Sequence, residues 1–330
     1  MERTRHLLFR ISLVVAQILA VCAALPAHGI ASSPPTEVRP TYLYSLSDFS
    51  GAVRYSQAKL YVDCRHNEVY AYDGEAVRVF NPIGMEIYRF GENQELGWIV
   101  DMSTDEKGDI YTLSYFQVPE GSLTVTKYYL IRCNYRGEPK KRFPIAKLPE
   151  EFSSFAPEGM IYRDGRFVIV SLSQMKGVVT DKQGVFERGY DFGAMVLGKE
   201  MNRADYEFFG FTLDGEGNFF FTAPTLSKVF KVSPDGKVSA FGKAGGAPGF
   251  FGVISGIAVD RNGNIFVSDK LKSVVMAFDK NFQFITQFGG RGDRRESLFG
   301  PTGMVFDNTG RLYITQLRNQ GVSVFSLNDK

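Results

Sequence analysis

Hydrolytic and metal centres draw on histidine, cysteine and clustered carboxylates, and this sequence of 330 residues is sparing with the first two. Of three histidines, His6 and His28 lie in the first thirty residues, leaving His66 alone in the rest of the chain. One imidazole excludes a multi-histidine metal centre and gives a nucleophile–histidine–acid triad little to draw on. Cys64 stands two residues before His66, but the pair falls in a short turn with no third group to orient it, so it does not read as a catalytic dyad. That leaves the carboxylates. Asp101 and Glu158 each open a strand-like apolar run, and together they offer oxygen donors of the sort calcium takes. Aromatic side chains form a second group: Tyr115, Phe116, Phe155 and Tyr206 sit in long connections and suit recognition better than catalysis.

A repeated phrase must position these groups. Gly256-Ile-Ala-Val-Asp-Arg-Asn-Gly-Asn-Ile-Phe-Val-Ser-Asp269 is followed by Gly303-Met-Val-Phe-Asp-Asn-Thr-Gly-Arg-Leu-Tyr-Ile-Thr-Gln316 and preceded by Gly210-Phe-Thr-Leu-Asp-Gly-Glu-Gly-Asn-Phe-Phe-Phe-Thr-Ala223. Each copy predicts a strand, a tight Asp/Asn/Gly turn and a second strand. The second strand recurs upstream in Asn67–Asp73, Gly108–Ser114 and Gly165–Ser171, giving six copies that end 41, 57, 52, 46 and 47 residues apart. Two more short strands follow, as in Ser273–Phe278 and Phe282–Phe288 around the turn Asp279–Asn281. A period in the forties with four strands per unit is the signature of a β-propeller. The fold class is therefore all-β: a six-bladed β-propeller of four-stranded antiparallel blades. The sixth unit ends one strand short after Val322–Ser326, and Thr41–Gly51 resembles Phe282–Gly290. The segment from Thr41 is expected to complete the last blade, closing the ring and removing an open sheet edge.

The Gly-rich loop and phrase over Phe288–Thr315, and again over Phe241–Asp269, resemble the NHL repeat, strongly across residues 207–326 and weakly across 49–180. The resemblance implies a six-bladed propeller, in agreement with the strand count. It says little about function, because such rings carry both binding modules and enzymes. The amidating lyase and streptogramin-lyase-like members rely on histidine, which this chain does not supply. A calcium-dependent lactonase or esterase of the gluconolactonase or paraoxonase kind is the surviving enzyme alternative. Glu158-Gly159 resembles the Glu-Gly that opens such enzymes, with Asp101 as a second metal ligand. Against it, that Glu-Gly belongs near the chain start, and the family's Asn ligands have no counterpart at Phe209, Ser255 or Thr302.

Residues just before the repeat glycine converge on the channel of a propeller. Here they are Val100 with Asp101, Glu158, Phe209, Ser255 and Thr302, and Asp101 itself replaces the glycine. Their plainer role is to hydrogen-bond backbone at the channel rim. Insertions enlarge the same face: a loop at Tyr115–Thr126, the connection Phe143–Pro157, and Tyr190–Phe209, whose middle, Leu197–Tyr206, is expected as a short helix. These either form a recognition surface or pack on one another and plug the channel. Trp98, the single tryptophan, is expected in the core. Arg291-Gly-Asp293 falls in an ordinary Gly-rich loop, and Lys140-Lys-Arg142 reads as solvated surface. The favoured function is a non-catalytic binding or scaffold propeller, without cofactor or metal, that recognises a protein, peptide or glycan through this face.

The N-terminus has the order of a secretory signal peptide: Arg3, Arg5 and Arg10, an apolar run from Ile11 to Leu25, then small residues before Ser32-Ser-Pro-Pro35. The apolar run, about fifteen residues, is short for a membrane span of about twenty. Residues 1–30 thus read as a signal peptide, 31–40 as a linker and 41–330 as the propeller, with cleavage near Gly29 or Ala31. The protein is expected to be exported to the periplasm or beyond, with an uncleaved anchor as the alternative. Leu19-Ala-Val-Cys22 resembles a lipobox but departs from it at Val21. The first 29 residues hold three of the 38 basic and one of the 36 acidic residues, which leaves 35 of each sign. No positive field remains for nucleic acid. Cys64 and Cys133 could pair in an oxidising compartment, but Cys133 occupies an apolar strand position and reads as a buried free thiol.

Overall fold

Each phrase folds through its aspartate. Asp260 Oδ1 accepts the backbone N–H groups of Asn262 and Asn264, both at 2.8 Å, and Gly263 turns the chain at a φ of +82°. The same side-chain turn recurs at Asp105, Asp214 and Asp307. The third copy uses a shorter hairpin, with Arg163 opposite Arg166 across Asp164 and Gly165, both at positive φ.

These hairpins build the strands of the computed structural model, which describes residues 38–54, 58–198 and 201–327. After β1 (Thr41–Ser45) and a small hairpin of β2 (Ser47–Asp48) and β3 (Gly51–Ala52), blade one comprises β4 (Lys59–Asp63), β5 (Glu68–Tyr72), β6 (Val77–Phe80) and β7 (Glu86–Phe90). Blade two holds β8 (Trp98–Thr104), β9 (Ile110–Glu120), β10 (Leu123–Cys133) and β11 (Pro139–Pro144). Blade three holds β12 (Gly159–Arg163), β13 (Arg166–Ser171), β14 (Lys176–Thr180) and β15 (Phe186–Asp191). In blade four these are β16 (Phe211–Leu213), β17 (Phe219–Ala223), β18 (Lys228–Val232) and β19 (Val238–Phe241). Blade five has β20 (Ile254–Val259), β21 (Ile265–Asp269), β22 (Val274–Phe278) and β23 (Phe284–Gly289). Blade six has β24 (Pro301–Phe306), β25 (Arg311–Gln316) and β26 (Val322–Ser326), and its fourth strand is β1.

Ring closure is as the sequence predicts. β1 pairs antiparallel with β26, from Thr41 opposite Ser326 to Ser45 opposite Ser323. Leu46, just beyond, is fully buried against Val62, Val69, Phe80 and Val324. The core lies between neighbouring blades: Leu113 and Leu130 of blade two, for example, meet Phe167, Ile169 and Val178 of blade three. Val38, assigned to the linker, is already buried against the blade five and six core. The proposed signal peptide lies outside the described residues. Among the described residues, no helix is long and apolar enough to cross a membrane.

Three local expectations are corrected. Tyr115–Thr126 is not a loop. β9 and β10 continue as a two-stranded arm to a tight turn at Gly121-Ser122, because strand-favouring residues (Tyr115, Phe116 and Val118 before it, Thr124, Val125 and Thr126 after it) flank a glycine at φ +63°. The short helix falls earlier than Leu197–Tyr206, at α1 (Phe192–Val196), where Asp191 caps Ala194 N at 2.9 Å and is held by Arg203 Nη1 at 2.7 Å. Among the described residues of the expected stretch, only a three-residue turn at Arg203–Asp205 is helical. Trp98 is 55% exposed, because its strand starts above the blade contact, beside the arm. Cys64 and Cys133 are both free, and burial pushes the Cys133 thiol up to about 12.

Candidate functional site

Six innermost strands begin at the channel mouth, and the residue at each start follows from how closely the blades approach. A Cβ on Gly256 would lie 1.8 Å from the Thr302 carbonyl oxygen, and one on Gly210 would lie 2.5 Å from that of Ser255. Glycine is what lets blades four, five and six close up. Hydroxyls on the second strands then lock the seams. Thr222 Oγ1 accepts from Gly210 N at 2.7 Å and donates to Ser255 O; Ser268 Oγ accepts from Gly256 N at 2.7 Å and donates to Thr302 O at 2.7 Å. In blade six Thr315 Oγ1 takes the Gly303 N–H at 2.8 Å.

Blade two lacks both parts of this device. Leu113 stands at the hydroxyl position and Asp101 at the glycine position, opposite each other in register. The carboxylate makes the bridge instead: Oδ1 accepts from Met102 N and Oδ2 from Met160 N of blade three, each at 2.8 Å. Burial pushes the Asp101 pKa up, against the pull of Lys59 and of those two N–H groups. The departure noticed at Asp101 thus compensates for a second departure at Leu113.

Blade one places Lys59 at the glycine position, a residue the sequence reading missed. The signal was available: Lys59 precedes Asp63 by four residues, as Gly256 precedes Asp260. Its Nζ crosses the mouth to donate to the backbone carbonyl of Glu158. The Glu158 carboxylate turns to its own blade, accepting from Ser171 Oγ at 3.3 Å and from the N–H and hydroxyl of Ser173.

These positions surround one cavity of about 270 Å³, lined by Lys59, Asp101, Glu158, Phe209, Ser255 and Thr302 with their neighbours. Of the six residues predicted at the mouth, Asp101, Glu158, Phe209, Ser255 and Thr302 are brought together, while Val100 packs instead against the blade two and three core. Ser255 is 1% exposed, and its Oγ has no hydrogen-bond partner. Phe209 is 43% exposed at the rim, with Lys270 Nζ 4.5 Å from its ring centroid. The Thr302 hydroxyl is already paired with Thr315 at 2.9 Å.

The aromatic residues assigned to the face divide. Phe155 belongs to the core: at 7% exposure it packs edge-on to Phe152, because the turn at Glu150–Phe152 folds both rings back onto blades two and three. Tyr206 is half-buried against the blade three and four core. Phe116 is half-buried under Arg142, whose Cζ lies 4.0 Å from the ring centroid. Tyr115 stacks on Trp98 and meets Tyr128 on its other side at a tilt of 56°. Burial, Tyr115 and then Glu158 raise the Tyr128 pKa. Beside the arm, a second hollow of about 440 Å³ is lined by Tyr128, Tyr129, Ser153, Ser154 and Phe155.

Neither carboxylate at the mouth joins a metal-competent cluster among the described residues. The one group of three with ligand atoms within 4.8 Å is Asp63, His66 and Glu68. It lies in the β4–β5 turn, on the face opposite the mouth, where Asp63 is engaged by His66 Nδ1 at 2.6 Å and by Arg65 N at 2.9 Å.

No protein-family model matches the sequence, the NHL repeat included, and none of the curated proteins resembles it. Solved structures do. A structural genomics protein of unknown function from Bacteroides thetaiotaomicron VPI-5482 is similar at a TM-score of 0.61 and 14% identity, over 88% of this chain and 77% of that one. An auxiliary nutrient binding protein from Bacteroides ovatus ATCC 8483 is similar at 0.58 and 11% identity, over 89% and 77%. The calcium-binding protein regucalcin from Agrobacterium tumefaciens str. C58 is similar at 0.54 and 12% identity, over 86% and 95%. At these identities the likeness establishes the propeller fold and nothing finer.

Proposed function

We propose that this chain is a non-catalytic binding propeller that recognises a protein, peptide or glycan on the face bearing the channel mouth and the blade-two arm. The observation that carries this reading is unused binding capacity concentrated on that face. The Ser255 hydroxyl is buried without a partner, exposed Phe209 lines the same cavity, and exposed Trp98 stands three residues before Asp101 on the strand that reaches it. Aromatic rings next to a few convergent polar groups are the composition of a recognition site. A fold likeness to a nutrient binding protein is consistent with it. The test is selection from peptide-display and printed-glycan libraries with the wild-type chain, followed by binding to the Trp98→Ala, Phe209→Ala double variant. The reading expects selected ligands to lose most of their affinity for the variant. Ligands that bind both proteins equally would place recognition elsewhere.

A calcium-dependent lactonase or esterase fits the mouth less well. Two carboxylates do reach one cavity, but Asp101 is committed to two backbone N–H groups and Glu158 to serines. Lys59 adds a positive charge where a cation would sit, and calcium takes 6–8 oxygens. Calcium-dependent hydrolysis of lactones or aryl esters that is lost in Glu158→Gln would reverse this ranking. The arginine-flanked apolar leader supports export, and N-terminal sequencing of the secreted chain is expected to start near Ile30 or Ser32. A chain retained in the membrane fraction with Met1 intact would contradict it.

A further inference from the structure

A row of three rings, the inner pair stacked and the outer pair tilted, crosses blade two and ends at the exposed Trp98. Tyr128, Tyr115 and Trp98 are neighbours in register on β10, β9 and β8. The Tyr115 centroid lies 5.9 Å from Tyr128 and 6.3 Å from Trp98, the latter nearly parallel at 13°. β8 is the innermost strand, so no strand continues the row past Trp98. Trp98 also precedes Asp101 by three residues on that strand, which puts it about 10 Å from the cavity along the chain. At the cavity end, Lys59 uses one of its three donors on Glu158 O, Asp101 keeps lone pairs beyond its two N–H contacts, and the buried Ser255 hydroxyl is unpartnered.

A ligand that satisfies both ends must lay an apolar ring face on Trp98 and present groups that donate and accept together. Backbone addition by an extended peptide has nothing to pair with in the seams of blades four to six. There Gly210 N, Gly256 N, Ser255 O and Thr302 O are all committed between blades. Sugar hydroxyls both donate and accept, and the C–H face of a pyranose suits the negative face of an indole. We propose that the ligand of this face is an oligosaccharide, with one sugar ring stacked on Trp98 and the adjoining terminal residue seated in the cavity against Ser255, Lys59 and Asp101. The cavity, about 270 Å³, holds a single residue and not a chain. This assignment rests on the binding reading above.

Trp98 is the only tryptophan, so its emission reports the site directly. The experiment probes the wild-type chain on a printed array of plant, bacterial and animal glycans, then titrates hits and a series of maltotetraose, cellotetraose and N-acetylchitotetraose by fluorescence and calorimetry. A saturable change in Trp98 emission is expected, with affinity falling about tenfold or more in Trp98→Ala and severalfold in Ser255→Ala and Lys59→Met. Trp98 is exposed, so its variant tests contact and not folding. A silent array combined with Trp98-dependent peptide binders would overturn the saccharide and leave the binding reading standing. Silence of glycans and peptides alike would overturn the saccharide and the peptide, reducing the binding reading to a folded protein partner.

Discussion

Deleting Pro40–Ser50 removes no residue of the channel mouth, yet it is expected to unfold the ring. The deletion takes away the whole of β1 and its ladder to β26, the Leu46 N–H bond to Val322 O at 3.0 Å and the Ser47 N–H bond to Gly84 O at 2.8 Å. It also strips the fully buried Leu46 side chain and the Tyr42 ring packed edge-on at 5.7 Å to Phe325. With backbone hydrogen bonds at about 1 kcal/mol each and a buried leucine at about 3, the loss is of the order of 10 kcal/mol. That matches the entire stability of a typical domain, about 5–15 kcal/mol. The exposed β26 edge would then recruit other chains, so aggregation is expected together with loss of structure. Leu46→Ala gives a graded version: about 3 kcal/mol, or a fall in Tm of roughly 5–10 °C in thermal denaturation. A synthetic peptide of residues 38–50 is expected to restore part of the transition to the deleted chain. An unchanged melting temperature after the deletion would refute the closure scheme.

Other consequences are equally direct. Gly256→Ala is expected to cost more than about 2 kcal/mol because its Cβ would meet the Thr302 carbonyl, whereas Gly246→Ala, with open space around it, should stay within about 0.5; urea unfolding of both separates the effects. Thr222→Val keeps the shape of the side chain but leaves Gly210 N and Ser255 O without their shared hydroxyl, for a loss of about 2–3 kcal/mol in the same assay. Asp101 binds its proton more tightly folded than unfolded. Its contribution to stability is therefore fullest below its unfolded pKa, about 4, and is lost as pH rises through the raised folded value. Melting temperatures of wild type and Asp101→Asn should therefore diverge in favour of wild type toward acid pH. A constant difference across pH 4–8 would show that Asp101 does not titrate differently in the two states.

The ring was legible because it is written in local chemistry. Asp260 fixes its turn through neighbouring N–H groups, and strands that alternate around such turns leave few ways to pair. The mouth was legible wherever a blade keeps the phrase, which is why Phe209, Ser255 and Thr302 fell into place. It failed at Lys59, where blade one keeps Asp63 but loses the glycine that marks the register. Trp98 and Phe155 were misplaced for a different reason. Whether a large ring at a strand end is covered depends on the height of the neighbouring loop, a tertiary quantity with no local signature. The arm was missed because Gly121-Ser122 in a long insertion reads equally as a loop tip and as a hairpin turn.

Joining β1 to β26 also sets the order in which the molecule can be made. Thr41 leaves the ribosome ahead of every blade among the described residues, and its partner Ser326 follows the other strands of the ring. The hairpins inside each blade close loops of a few residues, while this seam closes nearly three hundred at an entropic cost of about 5 kcal/mol. Five blades and three strands of the sixth can pair in sequence as the chain lengthens, each against the one before. β1 must wait, with its unpaired edge exposed, until β26 has been made. The first strand made is the last to find its place.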